Sequence, residues 1–376
     1  TQALGARRRD QADALARAAL GAGSWMGLCI AVLALAGSTP LLHLLNAPPE
    51  VLVPAVPFLM AMGLGLLIDS WTSVCSSVLR AHLQARDALA VIVATHAVHL
   101  TLALLLMPRF GLPGYALAFA CSRLVALPLN LLQWRWRLQL RVRWADWWRL
   151  PRAELAAMLH IGLPGAAENI AYRLAFLVSV AVAGQLGAAA LATQAYALQL
   201  MYFVLLFGLA TGFACEIVVG HLVGAGKLHA AHRLVRRALA RGLGVSVVIA
   251  TLMALAAPHL LGLFTQDPAI IELGSKLMWI TVLLEPGRTF NLVVINALRA
   301  TGDARYPVLA GATSMVIVLA GGAYLLGPLF GLVGIWFAYA ADEWIRGLLM
   351  WRRWARLQWV PQARAMHRRL HREETS

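Results

Sequence analysis

The chain reads LGARRRDQADALARAAL over residues 4–20 and VGAGKLHAAHRLVRRAL over residues 223–239, which are two versions of one pattern. The two stretches lie 219 positions apart. The same shift lays LLHLLNAPPEVL (41–52) on LLGLFTQDPAII (260–271). Self-similarity on this scale indicates an internal duplication, so the fold consists of two related halves.

The match continues in the same register, with LRAHLQAR (79–86) falling on LRATGDAR (298–305). One inserted residue then shifts the register to 220, where FGLPGYALAFA (110–120) matches FGLVGIWFAYA (330–340). The repeated unit is almost entirely apolar and is therefore a membrane unit. Duplicated membrane units are typical of secondary transporters.

The composition supports a membrane protein. Hydrophobic residues make up 60% of the chain and charged residues only 13%, with a mean hydropathy of +0.71. A soluble domain carries about a quarter charged residues. The net charge of +15 does not indicate a nucleic-acid partner, because the basic residues form short clusters between apolar stretches and not one face of a module.

Ten apolar stretches are long enough to cross a bilayer as helices, which takes about 20 residues. They run approximately over 18–45, 51–79, 88–107, 112–132, 158–186, 188–219, 239–264, 270–298, 307–326 and 329–350. The predicted fold class is therefore an all-α integral membrane protein, a polytopic helical bundle.

The connections between these spans alternate in charge. Of the 32 Lys and Arg residues, 26 lie before the first span, in alternate connections and in the tail. The opposite connections include NAPPE (46–50) and GQLGAA (184–189), which have neither, and only Arg109 and Lys276 fall on that side. The positive-inside rule predicts that both termini face the cytoplasm of a multi-pass protein in the cell inner membrane.

The repeats begin on the same side and lie six spans apart, so the two lobes are predicted to be parallel and pseudo-symmetric. Because Thr1 matches Gly220, at the end of a span, we expect ten of twelve helices here, with two more preceding them. Residues 1–150 form a partial first lobe with a basic linker. Residues 151–376 form a six-helix second lobe and a basic tail.

The linker WRWRLQLRVRWADWWRLPRAEL (134–155) is basic and rich in Trp. We interpret it as an interfacial segment in the headgroup zone, where Trp and Arg are both favoured. A specific anionic-lipid site is the alternative.

Several motifs resemble the multidrug and toxic compound extrusion (MATE) family. GLPGAAENI (162–170) resembles the opening of that family's seventh helix, and VVGHLVGAGK (218–227) the close of its eighth. LEPGRTFNLVVINALRATGDARYP (284–307) is similar to its tenth helix and the turn that follows. The resemblance implies two six-helix lobes around a central cavity and export of amphiphilic cations or metabolites, driven by inward H⁺ or Na⁺.

The sequence departs from the family at its best-known cation ligands. Arg288 stands where an acid lies eleven positions before the arginine of the turn, and Tyr172 replaces another acid. The family's Na⁺ site is therefore not carried over intact. Glu168 stands four residues after Pro164 instead.

Charges within spans need a partner or a cavity, because each costs about 2.5–3.5 kcal/mol at mid-bilayer on insertion scales. We predict that Glu168 carries a coupling proton; the alternative is an ion pair with an arginine of another helix. Glu285 is predicted to pair with Arg288 at i, i+3 and to modulate coupling. Three further residues are candidates to line a cavity: Tyr172, Arg173 and Asn291.

The repeat also relates charges of opposite sign. Asp69 matches Arg288, and Arg123 matches Glu343. These inversions suggest pairing between the lobes. Asp342, Glu343 and Arg346 have i, i+3, i+4 spacing and are expected to neutralise one another.

Other chemistry is not indicated. His96 and His99 have no acidic or Cys companion, and the four cysteines lie singly in apolar runs, so no metal is predicted. GAGKL (224–228) lacks the first glycine and the Ser/Thr of a phosphate loop. We therefore expect no enzyme and no cofactor, a small-molecule substrate, contact with membrane lipid, a monomer, and coupling to H⁺ or Na⁺.

Two other functions remain open. The first is a flippase for lipid-linked precursors, which would need a strongly basic cavity; the spans here mix acids and bases, which favours an exporter. The second is that this chain is an inactive fragment.

Overall fold

The computed structural model describes residues 1–44 and 48–372, and every regular element within them is helical. Part of NAPPE (46–50) and the last residues of the tail lie outside the described residues. The helices are α1 (Gln2–Gly5), α2 (Arg9–Leu44), α3 (Pro49–Ala81), α4 (Ala85–Arg137), α5 (Arg152–Gln185), α6 (Ala188–Gly224), α7 (Leu228–Leu261), α8 (Pro268–Ala300), α9 (Arg305–Ser314), α10 (Gly321–Ala355) and α11 (Val360–Arg372). A 3₁₀ turn covers Trp144–Trp147, and a π-helical segment, Met315–Ala320, joins α9 to α10.

The helices form two compact units. The N unit comprises Arg9–Met158, and the C unit comprises Thr1–Arg8 together with Leu159–Ser376. The first eight residues, which we expected in the first lobe, thus belong to the C unit. Gln2 donates a hydrogen bond from Nε2 to the carbonyl of Ala300 at 2.7 Å, which attaches α1 to the end of α8.

The N unit is built from α2, α3 and a folded α4. Helix α4 reverses at Gly111, whose φ of 60° is a left-handed conformation that glycine adopts readily. The rings of His99 and Tyr115 consequently lie 5.0 Å apart, whereas sixteen residues of straight helix would separate them by about 24 Å. The core packs Leu20, Leu79 and Trp134.

The C unit places α8 at its centre. From Leu284 to Leu298 nearly every residue of α8 is buried. The segment from α9 through α10 reverses at Gly331, with φ 64°, so that Ser314 of the first arm donates a hydrogen bond to Asp342 of the second at 2.7 Å. Trp336, Leu277 and Met278 are fully buried in the core near this hairpin.

Eight helical segments are long and apolar enough to cross a membrane. Two of them, α4 and the stretch Arg305–Ala355, fold back at a glycine, so the described residues supply ten spans. The predicted all-α membrane bundle is confirmed. From the sequence we expected the second of these turns between residues 326 and 329. The structure places it at Gly331, since the residue free to adopt a positive φ determines where the chain reverses.

The duplication is visible in the backbone. Helices α2 and α7 begin 219 residues apart, and α3 and α8 both begin and end 219 residues apart. The four left-handed residues of the first repeat are Arg7, Leu83, Gly111 and Gln139. Each has a left-handed counterpart in the second, which are Gly226, Gly302, Gly331 and Leu357. The same turns therefore end the same helices in both copies.

The linker is only partly an exposed interfacial segment. Trp136 and Trp144 are exposed, but Trp134 is buried and donates a hydrogen bond from Nε1 to the carbonyl of Cys75 at 3.0 Å. The ring of Trp147 meets that of Trp71 edge-on at 5.1 Å. Half of this segment thus packs as part of the N unit.

Candidate functional site

Five ionisable side chains form a buried network in the middle of the C unit, on α8 and α10. Within α8, Arg288 Nη1 lies 2.6 Å from Glu285 Oε1, as the i, i+3 spacing predicted. Between the two helices, Arg288 Nε donates to Glu343 Oε1 at 3.0 Å. One guanidinium therefore serves two carboxylates on different helices.

The network continues along α10. Arg346 lies 2.8 Å from Asp342 and 3.0 Å from Glu343, again at the spacing that the sequence indicated. Asn291 donates from Nδ2 to Glu343 Oε2 at 3.0 Å, and its own Oδ1 is buried without a hydrogen-bond partner in the described residues. The described network holds three carboxylates, Glu285, Asp342 and Glu343, against two guanidiniums.

An aromatic stack from α5 lies beside the same helices. The ring of Tyr172 stacks on Phe176 at 6.1 Å, and Phe176 stacks on Tyr339 at 5.9 Å. The hydroxyl of Tyr339 hydrogen-bonds Ser179 Oγ at 2.6 Å and accepts from Gln194 Nε2 at 3.2 Å. Arg173, the neighbouring candidate, is exposed.

Glu168 is buried on α5 and pairs with an arginine of another helix. Arg299 Nη2, near the end of α8, donates to Glu168 Oε2 at 2.5 Å. This is the alternative arrangement that the sequence left open. The sequence did not single out Arg299, since its partner lies 131 residues away and no spacing rule connects them.

The N unit contains a polar cavity of about 240 Å³. Asp69 and Arg123 line it and form an ion pair at 2.7 Å, and Arg123 also lies over the ring of Phe119. Ser76 donates to Asn130 at 3.3 Å in the same cavity. Its other polar side chains are Thr72, Ser73, Ser77, Arg80, Thr95 and His96.

The suggested pairing between lobes is wrong for these charges. Asp69 pairs with Arg123 inside the N unit, and Arg288 pairs with Glu343 inside the C unit. The pair joins α3 to α4 in one copy and the equivalent helices α8 and α10 in the other, so duplication preserved the contact. Its polarity is reversed, because the acid lies on α3 in one copy and on α10 in the other.

The basic connections of each unit meet at one end. In the C unit, His367 of α11 hydrogen-bonds the carbonyl of Gly224, and Arg353 pairs with Asp303 at 2.5 Å. In the N unit, Arg137 lies 3.2 Å from Asp87. This clustering is what the alternating charge of the connections predicted.

A profile of the MatE family matches residues 1–105 and 164–325. The transporter YisQ of Bacillus subtilis is 32% identical over 97% of this chain and 82% of its own length. The multidrug resistance protein PmpM of Pseudomonas aeruginosa is 25% identical over 72% of this chain and 59% of its own length.

Solved structures share the fold. An outward-facing multidrug resistance MATE transporter matches with a TM-score of 0.86 at 19% identity, covering 96% of this chain and 82% of its own. A transporter from Pyrococcus furiosus, described as having a binding pocket of reverse polarity, matches with the same score and coverage. Proteins of this family are transporters and not enzymes. With the profile covering most of the spans and a relative aligned along nearly the whole chain, the protein belongs to the MatE family of membrane transporters.

Proposed function

We propose that the protein exports amphiphilic or cationic drugs, toxins or metabolites by antiport with H⁺ or Na⁺. The observation that carries the proposal is the buried network of Glu285, Arg288, Asp342, Glu343 and Arg346. Relatives that are named multidrug resistance proteins support the substrate class.

The acid excess in this network supports coupling to a cation. Each charge at mid-bilayer is costly, so ionisable residues in spans are functional candidates by default. Two guanidiniums neutralise two of the three carboxylates. The third carboxylate is left to be balanced by a proton or a monovalent cation, which would make the network electrically neutral.

Glu168 is the proposed carrier of the coupling proton. Its ion pair with Arg299 connects α5 to α8, and protonation of the carboxylate would remove the attraction between the two helices. Loss of this pair would therefore change helix packing, which alternating access requires. Glu285 pairs with Arg288 on its own helix, so its protonation changes charge without releasing a helix. This supports a modulating role for Glu285.

The arrangement also suits a cationic substrate. An ionised acid attracts an organic cation and a protonated acid does not, which gives the two states different affinities for the substrate. The N-unit cavity beside Asp69 also offers hydroxyl groups, but Arg80 and Arg123 line it as well, so the acid excess that would attract a cation lies in the C unit.

We place the protein in the cell inner membrane as a monomer, with both termini and the basic ends of both units facing the cytoplasm. The clustering of basic connections at one end of each unit supports this orientation.

The proposal is tested with inside-out membrane vesicles that contain the protein, with a fluorescent cationic dye in the outer medium. The vesicle interior is made acidic in one arm and rich in Na⁺ in the other. We expect dye uptake in at least one arm and collapse of uptake when that gradient is dissipated. Vesicles without the protein are the control. Equal dye uptake by vesicles with and without the protein would overturn the proposal.

A further inference from the structure

A second cavity lies at the basic end of the C unit, away from the buried network. Its volume is about 820 Å³. It is bounded by the start of α7, the turn from α10 to α11, and one side of α11. Its lining includes Leu228, Leu357 and Val360, and the side chain of Leu357 is 48% exposed.

The charged and titratable residues that line the cavity are all arginines and histidines. Arg364 and Arg368 lie one turn apart on α11, and His229, His232 and His367 complete the set. Among the described residues that line the cavity, none is acidic. The first turn of α7 also forms part of the wall, and a helix N-terminus adds a further preference for an anion.

Aromatic rings form the rigid side of the cavity. The ring of His232 stacks on Trp354 at 6.2 Å, and Trp354 stacks on Trp359 at 4.3 Å, with both pairs nearly parallel. Trp359 is buried and donates a hydrogen bond from Nε1 to the carbonyl of Trp354 at 3.1 Å. The His232 ring is therefore held in place before any ligand arrives.

The first repeat lacks two of these histidines. In the 219-residue register His229 corresponds to Asp10, and His232 corresponds to Asp13. The first repeat thus places acids where the second places imidazoles. Both units have a basic end, but only the second repeat carries imidazoles at these two positions. This set of residues is therefore a specific feature of the C unit.

We propose that this cavity binds the phosphate-bearing headgroup of an anionic phospholipid. The charge supplies the recognition of the phosphate, since Arg pairs with phosphate in a bidentate manner. Apolar walls at the ends of two membrane spans favour a lipid over a free phosphate, because Leu228 and Leu357 can contact the acyl and glycerol portions. Basic pockets at this level of a membrane protein are suited to such headgroups.

The test is native mass spectrometry of the purified full chain in micelles that contain equal amounts of phosphatidylglycerol and phosphatidylcholine. We expect retention of phosphatidylglycerol in clear preference to phosphatidylcholine. The double variant Arg364→Ala/Arg368→Ala should lose this preference by about tenfold. The matched control, Arg352→Ala/Arg356→Ala, removes two exposed arginines of the same end that do not line the cavity, and should stay within about twofold of the parent.

A second variant keeps the test decisive if the double variant does not fold. His229→Asp installs the residue of the first repeat at an exposed position and should weaken phosphatidylglycerol retention in the same way. Absence of a preference in the parent protein, or equal loss in both double variants, would overturn the proposal. Displacement of the lipid by excess inorganic phosphate would also overturn it, because the ligand would then be free phosphate.

Discussion

At the residue scale, the charge pair Asp69–Arg123 permits the sharpest test of the N-unit cavity. Each single reversal, Asp69→Arg or Arg123→Asp, places like charges together and should cost about 1.5–3 kcal/mol of unfolding free energy, the range for a hydrogen bond to a charged group. The double reversal recreates the pair with the polarity found in the C unit and should recover most of that loss. Thermal unfolding in detergent measures both effects.

The control for this series is Arg109→Asp, which reverses an exposed arginine elsewhere on α4 and should change stability by less than about 0.5 kcal/mol. A double reversal no more stable than the weaker single variant would contradict the assigned pair.

Ion pairs within one helix were predictable from the sequence, whereas pairs between helices were not. The Glu285–Arg288 pair and the cluster of Asp342, Glu343 and Arg346 follow from helical spacing, because three or four residues place side chains on one face. The partner of Glu168 does not follow, since Arg299 lies on another helix. The repeat related Asp69 to Arg288, but equivalence within a repeat gives the same position in two copies, not a contact.

At the scale of elements, the left-handed turn residues make the repeats unequal. Leu83 adopts the left-handed conformation with φ 62°, whereas a glycine, Gly302, occupies the equivalent position of the second repeat. A left-handed conformation costs a residue with a Cβ about 1–2 kcal/mol. Because the Leu83 side chain is 60% exposed, its removal forfeits little packing.

Leu83→Gly should therefore stabilise the protein by about 1 kcal/mol relative to Leu83→Ala, which loses the same side chain but keeps the strain. Urea or thermal unfolding of the two variants measures the difference. Equal stability of the glycine and alanine variants would show that this turn is not strained.

Element boundaries were predictable where the hydrophobic pattern was interrupted by charge, as at α3 and α8. The first hairpin tip was predictable because Arg109 interrupts the apolar pattern beside Gly111. The second was harder, because apolar residues continue through residues 326–333 and only the conformational freedom of Gly331 marks the reversal. Similarly, the Trp-rich linker has an interfacial composition, but burial of Trp134 depends on a carbonyl of α3 that composition does not reveal.

At the scale of the whole molecule, the orientation is testable by cysteine accessibility in intact cells. In a background without the four native cysteines, Trp144→Cys and Arg237→Cys should be protected from an impermeant reagent, because the basic connections face the cytoplasm. Ala189→Cys, at an exposed position in the first turn of α6, should be labelled. Labelling of Trp144→Cys from outside would contradict the orientation.

The most direct test of the central claim, proton-coupled export through Glu168, is dye transport by Glu168→Gln in inside-out vesicles under an imposed proton gradient. The glutamine keeps the shape of the side chain but cannot exchange a proton, so gradient-driven transport should fall to the background of empty vesicles. Glu285→Gln, measured in parallel at matched protein levels, should only weaken transport. Transport by Glu168→Gln at the parental rate would contradict the account and assign the Glu168–Arg299 pair a purely structural role.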